Sequence, residues 1–341
     1  MTNPASNNPN TESTLTTKDK VSKARRSFLK TTGALVAGSS LLNSSPSLAQ
    51  QSVSGNTLDA RLFPGFSVSK IETSGATIHT LVGGEGPPVL LLHGAPQSHL
   101  SWAEVATELA KDYTVVATDL RGYGDSSKPE GGENHINYSK RSMALDQIEV
   151  MDSLGFDQFA LLGHDRGGRV GRRLTLDHPE RVSKLAVLDI VPAHYLYANT
   201  TREFAEAYVH WFMFIRPAPF PENIINSTGM FKGNGPGEVG QDYQRIYDDP
   251  AAVHAMCEDY RASAGIDIEN DNADIAAGNK ITGPLRVLWG DQAPMGRLYD
   301  VLSIWQMEAS NATGRAMPGG HSFHAENPQE TYLELKAFLQ S

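Results

Sequence analysis

The string Gly163-His164-Asp165-Arg166-Gly167 sets a carboxylate between small residues. An apolar run precedes it at 159–162, and a helical pattern follows at 168–178. A strand-to-helix turn of this kind has the shape of the nucleophile elbow Gly-x-Ser-x-Gly, with Asp in the serine position. The turn strains the backbone of its central residue, so bulky neighbours do not fit beside it. The central side chain then stands out at the top of the sheet, where the N-terminus of the next helix favours an anion. A carboxylate there needs no base to attack. It can displace a leaving group from sp³ carbon and form an ester, which an activated water must then hydrolyse. Taken alone, the string is also compatible with Asp165 as a plain helix N-cap.

Partners for that chemistry follow in chain order. Asp189 ends the apolar run Val187-Leu188, and His321 lies in Gly319-Gly320-His321 after the last expected strand. Nucleophile, acid, histidine is the order in which such an elbow is completed. His321 would take a proton from the hydrolytic water, and Asp189 would fix its tautomer and stabilise the imidazolium. Spacing leaves Asp291, in Trp289-Gly290-Asp291, open as the acid. His324 is the rival base; without a preceding glycine it reads as a surface residue. His93-Gly94-Ala95-Pro96 ends another apolar run. Its Ala95 N–H, with that of Arg166, is the expected oxyanion hole.

The elements that must position these groups alternate. Strands are expected at 66–73 and 76–82 around a Ser74-Gly75 turn, then at 89–92, 113–118, 159–162, 185–188, 285–289 and 312–316. The runs at 89–92 and 185–188 are continuously apolar, as in strands buried on both faces. Helices are expected at 102–111, 139–154, 168–178, 298–308 and from Pro328. Alternation of this type implies an α/β fold with a mostly parallel, doubly wound sheet. It stops over 192–279, a stretch of aromatics, prolines and Asn/Gly-rich loops. We therefore expect a core of 50–191 and 280–341 with a helical cap at 192–279.

Residues 1–49 differ from the rest. Ala24-Arg25-Arg26-Ser27-Phe28-Leu29-Lys30 leads into a modestly apolar run, and Ser47-Leu48-Ala49 offers small residues for cleavage. This resembles a twin-arginine signal peptide, implying the twin-arginine export machinery as a partner and a periplasmic or secreted protein. Its removal takes six of the 29 Lys/Arg and two of the 39 Asp/Glu, changing the net charge from −10 to −14. Phosphate would be repelled by such a surface, which argues against a nucleic-acid partner. No apolar run is long enough for a permanent membrane span. Cys257, the single cysteine, cannot form an internal disulfide or a thiolate metal cage.

Over roughly residues 63–341 the chain resembles the haloacetate (fluoroacetate) dehalogenases of the α/β-hydrolase superfamily, within the wider group of haloalkane dehalogenases and epoxide hydrolases. The motifs that carry the resemblance are His93-Gly94-Ala95-Pro96-Gln97, Gly163-His164-Asp165-Arg166-Gly167-Gly168-Arg169, Leu188-Asp189-Ile190, His210-Trp211 and Met256-Cys257-Glu258-Asp259-Tyr260-Arg261. It implies Asp165, Asp189 and His321 as nucleophile, acid and base, which tips the choice of acid away from Asp291. It implies that Arg166 and Arg169 clamp a substrate carboxylate; a guanidinium fork suits that task. It implies a halide pocket of His210, Trp211 and Tyr260, whose N–H and O–H groups all donate. Ala95 replaces a bulkier aromatic common in the family, Ser322 stands before the usual Phe, and the stretch from Trp211 to Tyr260 looks short.

The expected reaction is hydrolysis of a small 2-haloacid, haloacetate to glycolate and halide, through an aspartyl ester and without metal or organic cofactor. A homodimer is compatible with the sequence. An epoxide hydrolase using the same Asp165 is the nearest alternative; it needs paired cap tyrosines, for which Tyr195, Tyr197, Tyr208 and Tyr260 are available. A non-catalytic binding protein for small carboxylates is a reading of another class, against which the intact Asp165–Asp189–His321 set argues.

Overall fold

The computed structural model describes residues 51–52, 57–232 and 237–341. The expected export segment, 1–49, lies outside the described residues. Among the described residues, nine strands form one sheet: β1 (Gln51–Ser52), β2 (Ser67–Glu72), β3 (Thr77–Gly83), β4 (Pro88–Leu92), β5 (Thr114–Thr118), β6 (Phe159–His164), β7 (Val182–Leu188), β8 (Leu285–Gly290) and β9 (Ala312–Met317). Their spatial order is β1-β2-β3-β5-β4-β6-β7-β8-β9. From β5 to β9 every neighbouring pair is parallel, while β1, β2 and β3 add as an antiparallel edge.

The central strands are the ones read as continuous apolar runs. Leu90, Leu91, Leu92, Leu161, Leu162, Val187 and Leu188 are fully buried, because helices cover both faces of the sheet there. Ala103–Leu109, Lys140–Ser153, Arg166–Asp177, Val301–Glu308 and Pro328–Gln340 follow the strands as helices. Differences from the sequence reading concern short elements. His99–Trp102 is a separate 3-10 turn before the helix expected from 102, and Ser98 caps it by accepting from the Leu100 N–H. The helix expected over 298–308 is two pieces, Pro294–Leu298 and Val301–Glu308, the second capped afresh by Asp300. A helix at Thr57–Leu62 was not expected.

Between β7 and β8 the chain runs through helices Ala193–Ala198, Arg202–Ala207, Val209–Met213, Phe220–Thr228, Gly237–Tyr247, Pro250–Ala264 and Ile266–Ala277, with no strand among the described residues. The longest, Pro250–Ala264, is set by Asp249 accepting from the Ala251 N–H and by Pro at its first position. It buries Met256, Cys257, Asp259 and Tyr260. Among the described residues, no helix is long and apolar enough to cross a membrane.

Candidate active site

Asp165 sits between β6 and the helix Arg166–Asp177 at φ +44° and ψ −114°, a strained conformation for a residue with a side chain. The elbow is possible only because its flanks are bare. A Cβ on Gly163 would lie 2.6 Å from the Gly167 carbonyl oxygen, and one on Gly167 would lie 2.4 Å from that of Leu92. The Asp165 carboxylate receives the Ala95 N–H at 3.1 Å on Oδ2, from the turn after β4. That is the place an oxyanion donor must occupy if the attacked carbonyl belongs to the Asp165 ester.

The structure pairs one of the two acids with one of the two histidines that the spacing left open. His321 pairs through Nδ1 with Asp189 Oδ2 at 2.6 Å. Asp189, at φ +53°, is fully buried and also accepts the Gly290 N–H at 2.9 Å. Asp291 instead accepts the Gly319 N–H, holding the turn that precedes the histidine. His324, expected at the surface, is buried against Trp102 and His164, and neither of its ring nitrogens has a hydrogen-bond partner. Burial holds it neutral. His164, also neutralised by burial to a pKa of about 3, accepts no charge but ties Nε2 to the His321 backbone carbonyl at 2.8 Å.

Charges in this group are coupled. Burial alone would push the Asp165 carboxyl up, but the charges of His321, Arg166 and Arg169 hold it below the usual carboxylate range. Burial pulls His321 down, while its bond to Asp189 and the charges of Asp189 and Asp165 raise it above the ordinary imidazole value. The resting arrangement is therefore an anionic Asp165 facing an imidazole that favours its proton.

A cavity of about 210 Å³ opens on these groups. Asp165, Asp189, His321, Ala95 and Arg169 line it from the sheet side, and His210, Trp211 and Tyr260 from the helical segment. Most of the expected site is thus brought together. Arg166 is the exception. It does not line the cavity: it is fully buried, donates to Ser263 Oγ at 2.8 Å, lies 3.6 Å from Asp259 and stacks 3.5 Å from the centre of the Tyr260 ring. The expected pair of carboxylate clamps is therefore one wall residue, Arg169, with Arg166 set back from the wall. Arg169 is anchored by one bond to the Val191 carbonyl, and its guanidinium lies 4.7 Å from the Trp211 ring centre. Burial and the neighbouring Arg166 lower its pKa to about 10, which still leaves it cationic at neutral pH.

His210 and Trp211 share the short helix Val209–Met213, and Tyr260 comes from Pro250–Ala264; their rings approach within 5.7 and 6.1 Å of the Tyr260 ring. Burial lowers His210 to a pKa of about 4, so it stays neutral, with one N–H to donate. Sequence reasoning gave no role to Gln97, Phe231, Tyr243, Met295 and Ser322, which also line the cavity. Gln97 donates to Ser322 at 3.0 Å and closes one side. Tyr208, considered only for an epoxide, lines it too, with a buried hydroxyl that has no protein partner. Tyr195 and Tyr197 are not in the lining.

Residues 87–328 match the model of a family described as alpha/beta hydrolase fold. A fluoroacetate dehalogenase from Burkholderia sp is 43% identical over 82% of this chain and 95% of its own. A soluble epoxide hydrolase from Corynebacterium sp. (strain C12) is 29% identical over 78% of this chain and 96% of its own. Among solved structures, a Nostoc sp PCC 7120 chain provisionally described as an alpha/beta hydrolase is 47% identical, with a TM-score of 0.77 over 80% of this chain and 98% of that one.

Proposed function

The chain belongs to the haloacetate dehalogenase family of the α/β-hydrolase superfamily, and from that premise we propose that it hydrolyses small 2-haloacids through an ester on Asp165. The observation that carries this reading is a small cavity whose wall holds the Asp165 carboxylate together with the Arg169 guanidinium. An anionic nucleophile repels an anionic substrate unless a cation beside it offsets the charge. Arg169 supplies that cation and a fork for the carboxylate, and Arg166 adds its charge from behind the wall. In this mechanism the Asp165 oxygen attacks the α-carbon, the carbon–halogen bond breaks, and the halide leaves toward His210, Trp211 and Tyr260. Water, deprotonated by His321, then adds to the ester carbonyl with the Ala95 N–H on the developing oxyanion. The bond from the Asp165 carbonyl carbon to the ester oxygen then breaks, His321 returns the proton to that oxygen, and the 2-hydroxy acid leaves carrying it. The helical segment between β7 and β8 acts as the cap that excludes bulk water.

The direct test is halide release from fluoroacetate and chloroacetate by the purified protein, beside a panel of racemic epoxides. Halide from a haloacid supports the reading. Diol from an epoxide with no halide from any haloacid would sink it.

A second reading, epoxide hydrolysis, is favoured by one observation: Tyr208 and Tyr260 both face the cavity and could protonate an epoxide oxygen. Arg169 separates the two. Arg169→Lys keeps the charge but loses the fork. For a haloacid, kcat/KM should fall about 10- to 100-fold, the worth of one bidentate charged contact. An equal fall with uncharged substrates would show that Arg169 only supports the wall.

The charge coupling gives a pH signature. Esterifying Asp165 removes one of the negative charges that raise His321, so the imidazole should lose its proton more readily in the intermediate. If ester hydrolysis limits turnover, kcat should rise with pH and level off at a midpoint below the His321 pKa that NMR reads in the free protein. A midpoint at or above that value contradicts the coupling. The sign for stability is the reverse: a histidine raised by folding stabilises below its unfolded pKa, and the contribution fades as pH climbs through the folded value.

A further inference from the structure

Far from Asp165 along the chain, three side chains from the N-terminal part meet inside the protein. Asp59 comes from the helix Thr57–Leu62, His79 from β3, and His99 opens the 3-10 turn His99–Trp102. All three are buried, with relative exposures of 1%, 4% and 2%. One ligand atom from each can be chosen so that all lie within 4.8 Å of one another. His99 Nε2 is 3.1 Å from Asp59 Oδ1, and His79 Nε2 is 3.3 Å from Asp59 Oδ2. The second contact is not a hydrogen bond. Both ring nitrogens of His79 and Oδ2 of Asp59 lack any hydrogen-bond partner, which for buried polar atoms is costly.

We propose that Asp59, His79 and His99 form a binding site for a divalent transition metal of the zinc class. Zinc holds imidazole nitrogen and carboxylate oxygen at about 2.0–2.2 Å in tetrahedral array, which sets neighbouring donors roughly 3.3 Å apart. His99 and His79 approach the Asp59 carboxylate at 3.1 and 3.3 Å, on its Oδ1 and Oδ2 respectively, so a carboxylate and two imidazoles already converge near that edge length. The donor set of two imidazoles and a carboxylate, with water in the fourth position, suits zinc. The outer groups fit as well. A metal-bound histidine usually gives its other N–H to a carboxylate, and His99 Nδ1 lies 2.9 Å from Asp119 Oδ1. Asp119 is itself fixed by the backbone N–H groups of His99 and Asp125 at 2.8 Å each. Without metal, His99 bridges Asp59 and Asp119 through its two ring nitrogens. Metal binding replaces the Nε2 proton, which goes to solvent, and uses the idle nitrogen of His79. The ion would tie the helix Thr57–Leu62 to the sheet, at a site separate from the substrate cavity.

The test uses the full chain stripped with a chelator and then given one equivalent of zinc. Wild type should retain close to one zinc per chain through gel filtration, and its Tm should rise by roughly 5–10 °C in excess zinc. His79→Gln should retain less than a tenth as much and show no zinc-dependent shift. Cobalt(II) added to the wild type, a measurement needing no variant, should give the visible absorption of a tetrahedral N/O site. Failure of the wild type to retain zinc, undiminished retention by His79→Gln, or absence of the cobalt band would each overturn the proposal.

Discussion

Asp165→Asn should leave a folded protein that releases no halide, with kcat reduced on the order of 10⁴-fold or more, the scale of losing a nucleophile. The substitution is nearly isosteric, and its side-chain oxygen can still accept the Ala95 N–H that reaches Asp165 at 3.1 Å. The elbow depends on bare flanks at Gly163 and Gly167 rather than on charge, so Tm should change little. The loss is chemical: an amide oxygen does not displace halide at useful rates. One further effect separates this from misfolding. With Asp165 neutral, the His321 pKa should drop, since the Asp165 charge is one of the groups holding it up. Residual turnover within about tenfold of wild type, with His321 titrating unchanged, would remove Asp165 from the mechanism.

His321→Gln should behave differently. Attack by Asp165 needs no base, so the first half of the reaction survives. The ester then has no general base to activate water, and steady-state turnover should fall by roughly 10³-fold or more. Mixed with excess haloacetate, the variant should release one halide per protein in a burst and then stall. Intact-protein mass should gain the carboxymethyl group, and peptide mapping should place it on Asp165. Asp189→Asn should show the same pattern more weakly, because it misorients the imidazole through the lost 2.6 Å contact rather than removing it. Slow halide release without a burst would mean that His321 acts before the ester forms.

The sequence made the architecture legible because buried parallel strands write themselves as unbroken apolar runs, as at 89–92, 159–162 and 185–188. The elbow was legible for a related reason: only glycine fits where a Cβ would strike the Leu92 or Gly167 carbonyl. What spacing could not decide was which acid meets the histidine. Asp189 and Asp291 both follow strands, and only the three-dimensional course of the chain gives one to His321 and the other to the Gly319 N–H.

Arg166 shows a different limit. The resemblance implies a clamp of both arginines, but a helix turns about 100° per residue, so the residue on the Asp165 face is four positions on, at Arg169. Arg166 faces inward to Ser263 and Asp259. His324 was misread because a single buried turn, Phe323–Glu326, has no periodicity to betray which side packs on Trp102. The trio His210, Trp211 and Tyr260 spans two separate helices, and the residue pattern alone would have left it as aromatic packing.

The central claim is that the oxygen delivered to product comes from Asp165 and is replaced from water afterwards. A single turnover in heavy-oxygen water, with enzyme in excess over haloacetate, tests it most directly. The mechanism predicts unlabelled hydroxy acid in that first turnover and label in the Asp165 side chain, with labelled product appearing only over later cycles. Label in the first product, with none in Asp165, would mean that water attacks the substrate carbon directly, and would contradict the ester mechanism.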